Sequence, residues 1–148
     1  MDQETMRLIE LGRQGFQCSQ ILLMLGLEAQ GKSDPDLIRA MEGLVGGLGF
    51  AGEVCGALSG GACLLGLYAG RGRAEEKPDP RLNMMIGDLV EWFSAEYGAR
   101  YGGIRCQEIL DHEPQARTRR CPGMVLGVLA RCKELLREHG LTWGGART

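Results

Sequence analysis

Hydrophobic positions along the chain recur at helical spacing, and no stretch alternates in the manner of a half-buried strand. Aspartate–proline pairs at Asp34-Pro35 and Asp79-Pro80 each supply a capping side chain and a proline where a helix needs no N–H. The pattern predicts an all-α fold of about five or six helices. The predicted helices cover residues 3–13, 18–28, a segment from Pro35, about 53–68, a segment from Pro80, and 121–139, with one further short helical segment at about 105–110.

Glycine changes this picture, because 24 of the 148 residues are glycine. In the predicted helix from about Glu53 to Tyr68, the residues Gly52, Gly56 and Gly60 recur every four positions. Such spacing forms a bare stripe along which another backbone can approach closely. We therefore expect a glycine-rich helix that is tightly packed and buried.

Length, charge and the first residues limit the class of protein. A chain of 148 residues is long enough for one core, so we expect residues 1–148 to form a single compact domain. The net charge of -2 argues against a nucleic-acid partner. Val54 to Gly70 is uncharged, but its many glycines and its short length favour a buried helix over a membrane span. The acidic start MDQETMRL lacks the pattern of a secretory signal, which predicts a cytoplasmic protein.

Six cysteines are the candidate chemistry, and four of them fall where helices are predicted to begin. Unpaired N–H groups at a helix start favour a thiolate and lower the pKa of a cysteine. The spacing therefore predicts low thiol pKa values at the candidate catalytic residues Cys18, Cys55, Cys106 and Cys121. The other two are predicted to fill the core, because Cys63 lies among apolar neighbours and Cys132 lies on the apolar face of the last predicted helix.

Arginines precede two of these cysteines and would also favour the thiolate. Arg117, Arg119 and Arg120 lie just before Cys121, and Arg105 lies directly before Cys106. There is no C-x-x-C pair, so a disulfide or a metal site requires the fold to bring distant cysteines together. As an alternative to disulfide chemistry, the same four cysteines could bind zinc or an iron–sulfur cluster.

Cysteines lie in the glycine-containing segments GFQCSQ at 15–20 and GEVCGALSG at 52–60. These and further segments of the chain resemble the bacterial and archaeal C_GCAxxG_C_C family of redox-active proteins. The similarity runs from about residue 5 to residue 138 and is most specific over residues 52–60. The resemblance implies a redox role carried by the cysteines, and it brings no substrate with it. The segments that carry it are GFQCSQ at 15–20, GGLG at 46–49, GEVCGALSG at 52–60, GIRCQEIL at 103–110, and Cys121.

Three functions follow from these residues. The first is a cytosolic thiol redox protein, a thiol oxidoreductase or electron carrier, in which Cys55 or Cys18 attacks an oxidised small substrate or a redox partner protein and a second cysteine resolves the intermediate. The second is a metal or iron–sulfur protein using the same four thiolates. The third is a non-catalytic helical module whose glycine face binds a partner or forms a homodimer.

Overall fold

The computed structural model describes residues 1–147, and this part of the chain is helical, as predicted. Val54 and Arg105 form one isolated antiparallel β-bridge. The helices are α1 (Gln3–Arg13), α2 (Cys18–Ala29), α3 (Pro35–Met41), α4 (Gly56–Ala69), α5 (Pro80–Phe93), α6 (Ala99–Tyr101), α7 (Cys106–Ile109) and α8 (Arg117–Glu138). A π-helical turn, Ser94–Gly98, joins α5 to α6, and 3₁₀ turns lie at Glu42–Leu44 and Pro114–Ala116.

The predicted capping residues begin their helices. The Asp34 carboxylate accepts a hydrogen bond from the Leu37 N–H at 3.1 Å, and Pro35 opens α3. At the start of α5, Asp79 accepts from the Arg81 N–H at 2.9 Å. Each cap satisfies an N–H group that has no partner within the helix, which fixes where the helix begins.

Helix α4 lies at the centre and packs against α2, α5 and α8. A Cβ atom added at Gly60 would lie 2.7 Å from the Ser19 Cα, so the absence of a side chain lets α2 approach. On another face of α4, a Cβ at Gly61 would lie 2.6 Å from Val128 Cγ1 of α8. The predicted glycine-rich buried helix is therefore confirmed, although Gly52 lies before the helix, in a loop with φ of +79°.

Helix α8 begins earlier than the sequence predicts. The expected start at Cys121-Pro122 was wrong, because the 3₁₀ turn that opens at Pro114 continues directly into the helix at Arg117. Pro122 consequently lies inside α8, where it cannot donate the usual hydrogen bond to the carbonyl four residues earlier. The predicted end of the helix is correct to about one residue, with Gly140 at φ of +78° just beyond it.

Within residues 1–147, no helix has both the length and the apolar character required to cross a membrane. The apolar segment around α4 instead packs inside the protein. Its Leu64 and Leu65 side chains are inaccessible to solvent and belong to the main core cluster.

Candidate functional site

The four cysteines predicted from the sequence line one cavity of about 340 Å³, which we call the cysteine pocket. It lies between α1, the first turns of α2 and α4, and the first turns of α8. Most of the remaining lining is apolar, and Arg117 is its charged lining residue. The pocket-lining residues Ile9, Gly12, Thr118 and Pro122 are exposed, so the pocket opens to solvent between α1 and α8.

Cys18 and Cys55 meet where α2 crosses the beginning of α4. Cys18 is the first residue of α2, and Cys55 is the N-cap of α4. A Cβ atom at Gly56 would lie 2.6 Å from the Cys18 Sγ, so this sulfur packs directly against the glycine that follows Cys55. Because Gly56 has no side chain, the Cys18 sulfur fits into the space beside it, next to Cys55.

The β-bridge brings Cys106 to the same place. The Cys55 N–H donates to the Ile104 carbonyl at 2.9 Å, and the Cys106 N–H donates to the Glu53 carbonyl at 2.6 Å. These two bonds flank the bridge between Val54 and Arg105 and join segments far apart in the chain. This bridge could not be predicted from the sequence, because a single pair of residues produces no alternating pattern.

The glycine-rich loop before α4 covers Cys18. Consecutive residues 46–50 have left-handed backbone conformations, with φ between +58° and +73°. Two of them, Leu48 and Phe50, are not glycine, and L residues in this conformation carry a cost that the surrounding structure must offset. The Gly46 N–H faces the Cys18 thiol and acts to lower its pKa. The loop thus contributes a backbone amide to the pocket.

Three of the four cysteines lie at helix starts, and Cys121 does not. Since α8 begins at Arg117, Cys121 is its fifth residue, past the free N–H groups of the first turn. The prediction that Cys121 benefits from a helix start is therefore wrong. Its sulfur nevertheless reaches the pocket, because Cys121 packs against the small cluster formed by Cys106, Leu110 and Ala116.

The predicted low thiol pKa values are also wrong. Burial raises the pKa of Cys55 to about 12 and that of Cys121 to about 11, and it raises the pKa of Cys18 and Cys106 as well. The backbone amides of Ala57 and Leu58 oppose this shift at Cys55 but do not overcome the loss of solvation. A thiol in an apolar pocket stays protonated at neutral pH unless a cation or a base assists it.

Arg117 is the predicted arginine that reaches the thiols. Its positive charge acts to lower the pKa of Cys18, Cys106 and Cys121. Arg105 points instead to Glu53, with 3.0 Å between the guanidinium and the carboxylate.

The two other arginines of this group serve elsewhere. Arg120 stacks over the Tyr101 ring at 4.8 Å and donates to the Ile109 carbonyl, and Arg119 is exposed. Sequence proximity to a cysteine was thus a weak guide, because helix geometry decides which arginine faces the pocket.

The two cysteines assigned to the core differ from each other. Cys132 is fully buried and its thiol contacts the Gly61 carbonyl at 3.6 Å, as a core residue should. Cys63 is exposed on α4, so the prediction that it fills the core is wrong. In a helix that is apolar all round, periodicity does not reveal which face is turned to solvent.

All six cysteines lie within the described residues and are free thiols. Within residues 1–147, no three side chains of the types Cys, His, Asp and Glu are grouped in a way that could hold a metal ion.

The buried thiol of Cys132 makes the folded protein sensitive to alkali. Burial raises its pKa to about 12, whereas in the unfolded chain it ionises near 9.0. Between these values the unfolded state releases a proton that the folded state keeps, so the thiol's contribution to stability is complete below pH 9 and is lost as the pH rises. We expect the free energy of unfolding to fall by about 1.4 kcal/mol per pH unit in this window on account of this residue.

Denaturant unfolding of the wild type and of Cys132→Ala, measured from pH 8 to pH 10.5, checks this expectation. The variant lacks the titrating thiol, so its stability should fall less steeply above pH 9. Parallel curves would show that Cys132 ionises normally in the folded protein.

Comparison with known proteins found one family. The family described as "Putative redox-active protein (C_GCAxxG_C_C)" matches residues 16–135 of the chain. No curated protein and no solved structure is significantly similar to it. The matched range includes all four cysteines of the pocket, as well as Arg117.

Proposed function

The chain belongs to the C_GCAxxG_C_C family, and we propose that it is a thiol redox protein that forms a reversible disulfide within the cysteine pocket. The observation that carries this proposal is the convergence of four cysteines, from separate elements of the chain, on one cavity. A family defined by its cysteines and described as redox-active supports the same chemistry. We propose the cytoplasm as its location, where cellular reductants would regenerate the dithiol.

Cys18 and Cys55 are the proposed pair. The Cys18 sulfur packs against the glycine that follows Cys55, and both cysteines line the same cavity, which supports their pairing. Cys18 is the proposed nucleophile because it is half-buried, whereas Cys55 is 6% exposed. The amides of Ser19 and Gly46, together with Arg117, assist ionisation of Cys18. Cys55, with its high pKa, is the proposed resolving residue.

The reaction transfers two electrons. The Cys18 thiol gives its proton to solvent, and the thiolate attacks one sulfur of an oxidised disulfide, R–S–S–R. An S–S bond forms between Cys18 and R–S, the substrate bond breaks, and one R–S⁻ leaves. The first R–S⁻ takes up the Cys55 thiol proton as the Cys55 sulfur attacks Cys18, which forms the Cys18–Cys55 disulfide and expels the second R–S⁻ for protonation by solvent. The protein loses two electrons, and the substrate disulfide gains them.

Mapping the disulfides of the oxidised protein tests the proposal. The reduced protein is treated with bis(2-hydroxyethyl) disulfide, the remaining thiols are alkylated, and peptides are analysed without reduction. We expect a Cys18–Cys55 linkage that dithiothreitol reverses. Cys63 is the internal control, since it is exposed and lies outside the pocket, and it should not enter an intramolecular disulfide. Oxidation that leaves every pocket cysteine free would contradict the proposed function.

A further inference from the structure

The cysteine pocket holds a positive charge that lacks a counter-charge among the described residues. Within residues 1–147, Arg117 takes part in none of the ion pairs, although it lines a cavity that is otherwise apolar or neutral. A guanidinium with apolar neighbours binds an anion more strongly than one in bulk water. Within the described residues, the Arg117 guanidinium therefore has no carboxylate partner that would compete with an anionic ligand for it.

A strained loop residue holds Arg117 in position. The Arg117 guanidinium lies over the Phe50 ring, 4.6 Å from its centroid. Phe50 has a φ of +65°, a conformation that an L residue adopts only when its surroundings compensate for the cost. The cation–π contact leaves the donors at the edge of the guanidinium available, because it uses the flat face of the group.

The size of the pocket limits what could supply this anion. A cavity of about 340 Å³ corresponds to roughly eleven water molecules at about 30 Å³ each, enough for a small organic molecule. Its thiols lie below the surface, with Cys55 and Cys106 buried, so a compact molecule reaches them more readily than a folded protein does. Since Arg117 lies beside Cys106 and acts on Cys18, an anionic group bound there would sit within one small molecule's length of the reacting sulfur.

We propose that the pocket selects small anionic substrates, such as disulfides bearing a carboxylate, and that Arg117 binds the anionic group while the reacting atom faces Cys18. This inference rests on the proposed function for its chemistry, and it adds the class of substrate. Arg117 is in this sense a specificity-determining residue that contacts substrate. The apolar lining of the pocket would contact the remainder of the molecule.

The test compares two alkylating reagents of nearly equal size, the anionic iodoacetate and the neutral iodoacetamide. In both reactions a thiolate forms an S–C bond, iodide leaves, and the thiol proton goes to the buffer. Rates are measured at Cys18 by peptide mass spectrometry at one fixed pH, and the result is the ratio of the iodoacetate rate to the iodoacetamide rate. This reaction needs only one thiol, so it does not depend on disulfide formation.

We expect Arg117→Gln to lower this ratio at Cys18 by about tenfold, as the loss of one charge-assisted hydrogen bond implies. Arg117→Lys should keep most of the ratio, and Arg119→Gln, two residues away and exposed, should not change it. The ratio at Cys63 provides an internal control in every sample. Circular dichroism and thermal unfolding of each variant verify that it is folded.

The outcomes separate this inference from the proposed function. If Arg117→Gln slows both reagents equally, Arg117 acts on thiol ionisation alone and the inference is wrong. Rates that stay at the wild-type values with both reagents would overturn it as well. Either result leaves the disulfide proposal intact, provided that the Cys18–Cys55 linkage forms in the wild type. A selective pocket that never forms a disulfide would instead overturn the redox function and retain the anion site.

Discussion

Cys55→Ser is expected to trap a covalent adduct on Cys18. When the reduced variant meets bis(2-hydroxyethyl) disulfide, Cys18 can still attack, but the resolving thiol is gone. The mixed disulfide should therefore accumulate on Cys18 instead of the intramolecular one, and peptide mass spectrometry without reduction would detect it as one mercaptoethanol group on the Cys18 peptide. The serine hydroxyl is close in size to the thiol and ionises far less readily, so the pocket should keep its shape while resolution is lost.

Cys18→Ser should give the opposite result. Without the nucleophile, we expect neither the adduct nor the disulfide at Cys55, because this buried thiol has a pKa of about 12 and is poorly placed to attack first. Cys63→Ser is the matched control and should behave as the wild type does. Adduct formation at Cys55 in the Cys18→Ser variant would reverse the two roles, and a Cys18–Cys121 disulfide in the Cys55→Ser variant would assign resolution to Cys121.

The roles assigned to these two sulfurs could be predicted only in part from the sequence. The cap residues Asp34 and Asp79, and the stop at Gly140, are local signals, and the structure agrees with them to within a residue or two. Their effect depends on hydrogen bonds between residues close together in the chain. The starts of α2 and α4, and with them the positions of Cys18 and Cys55, also followed from the pattern, whereas the start of α8 did not.

Features that depend on contacts between residues far apart in the chain could not be predicted from the sequence. The bridge between Val54 and Arg105 consists of one residue pair, and the turn that starts α8 early depends on how the chain packs after α7. The prediction of low thiol pKa values was wrong for a related reason. Helix starts and arginines can be read from the sequence, whereas the desolvation that raises the pKa of Cys55 depends on the packed pocket.

The spacing of the glycines in α4 can be read from the sequence, but the effect of each glycine on packing depends on what it contacts in the fold. Gly60 and Gly66 both belong to α4, yet a Cβ at Gly60 would lie 2.7 Å from the Ser19 Cα, while one at Gly66 would meet nothing within 4 Å. The atom met at Gly60 is backbone, which cannot rotate away. One substitution at two positions of the same helix should therefore have opposite effects.

We expect Gly60→Ala to lower the free energy of unfolding by about 2 kcal/mol, because overpacking forces α2 away from α4. Gly66→Ala should raise it by about 0.5–1 kcal/mol, since alanine restricts the unfolded chain and favours the helix. Denaturant unfolding measures both changes. Equal effects at the two positions would mean that α2 and α4 are not in close contact.

The same displacement should reach the cysteine pocket. Ser19 follows Cys18, so a shift of α2 at Gly60 separates the Cys18 sulfur from Cys55, and disulfide formation tolerates only a narrow range of distances. We expect folded Gly60→Ala to form the Cys18–Cys55 disulfide more slowly than the wild type, and Gly66→Ala to form it at the wild-type rate. Both rates are compared below the unfolding transition, so that loss of stability does not contribute. A destabilised Gly60→Ala that oxidises normally would show that the glycine serves packing alone and that the two sulfurs meet without it.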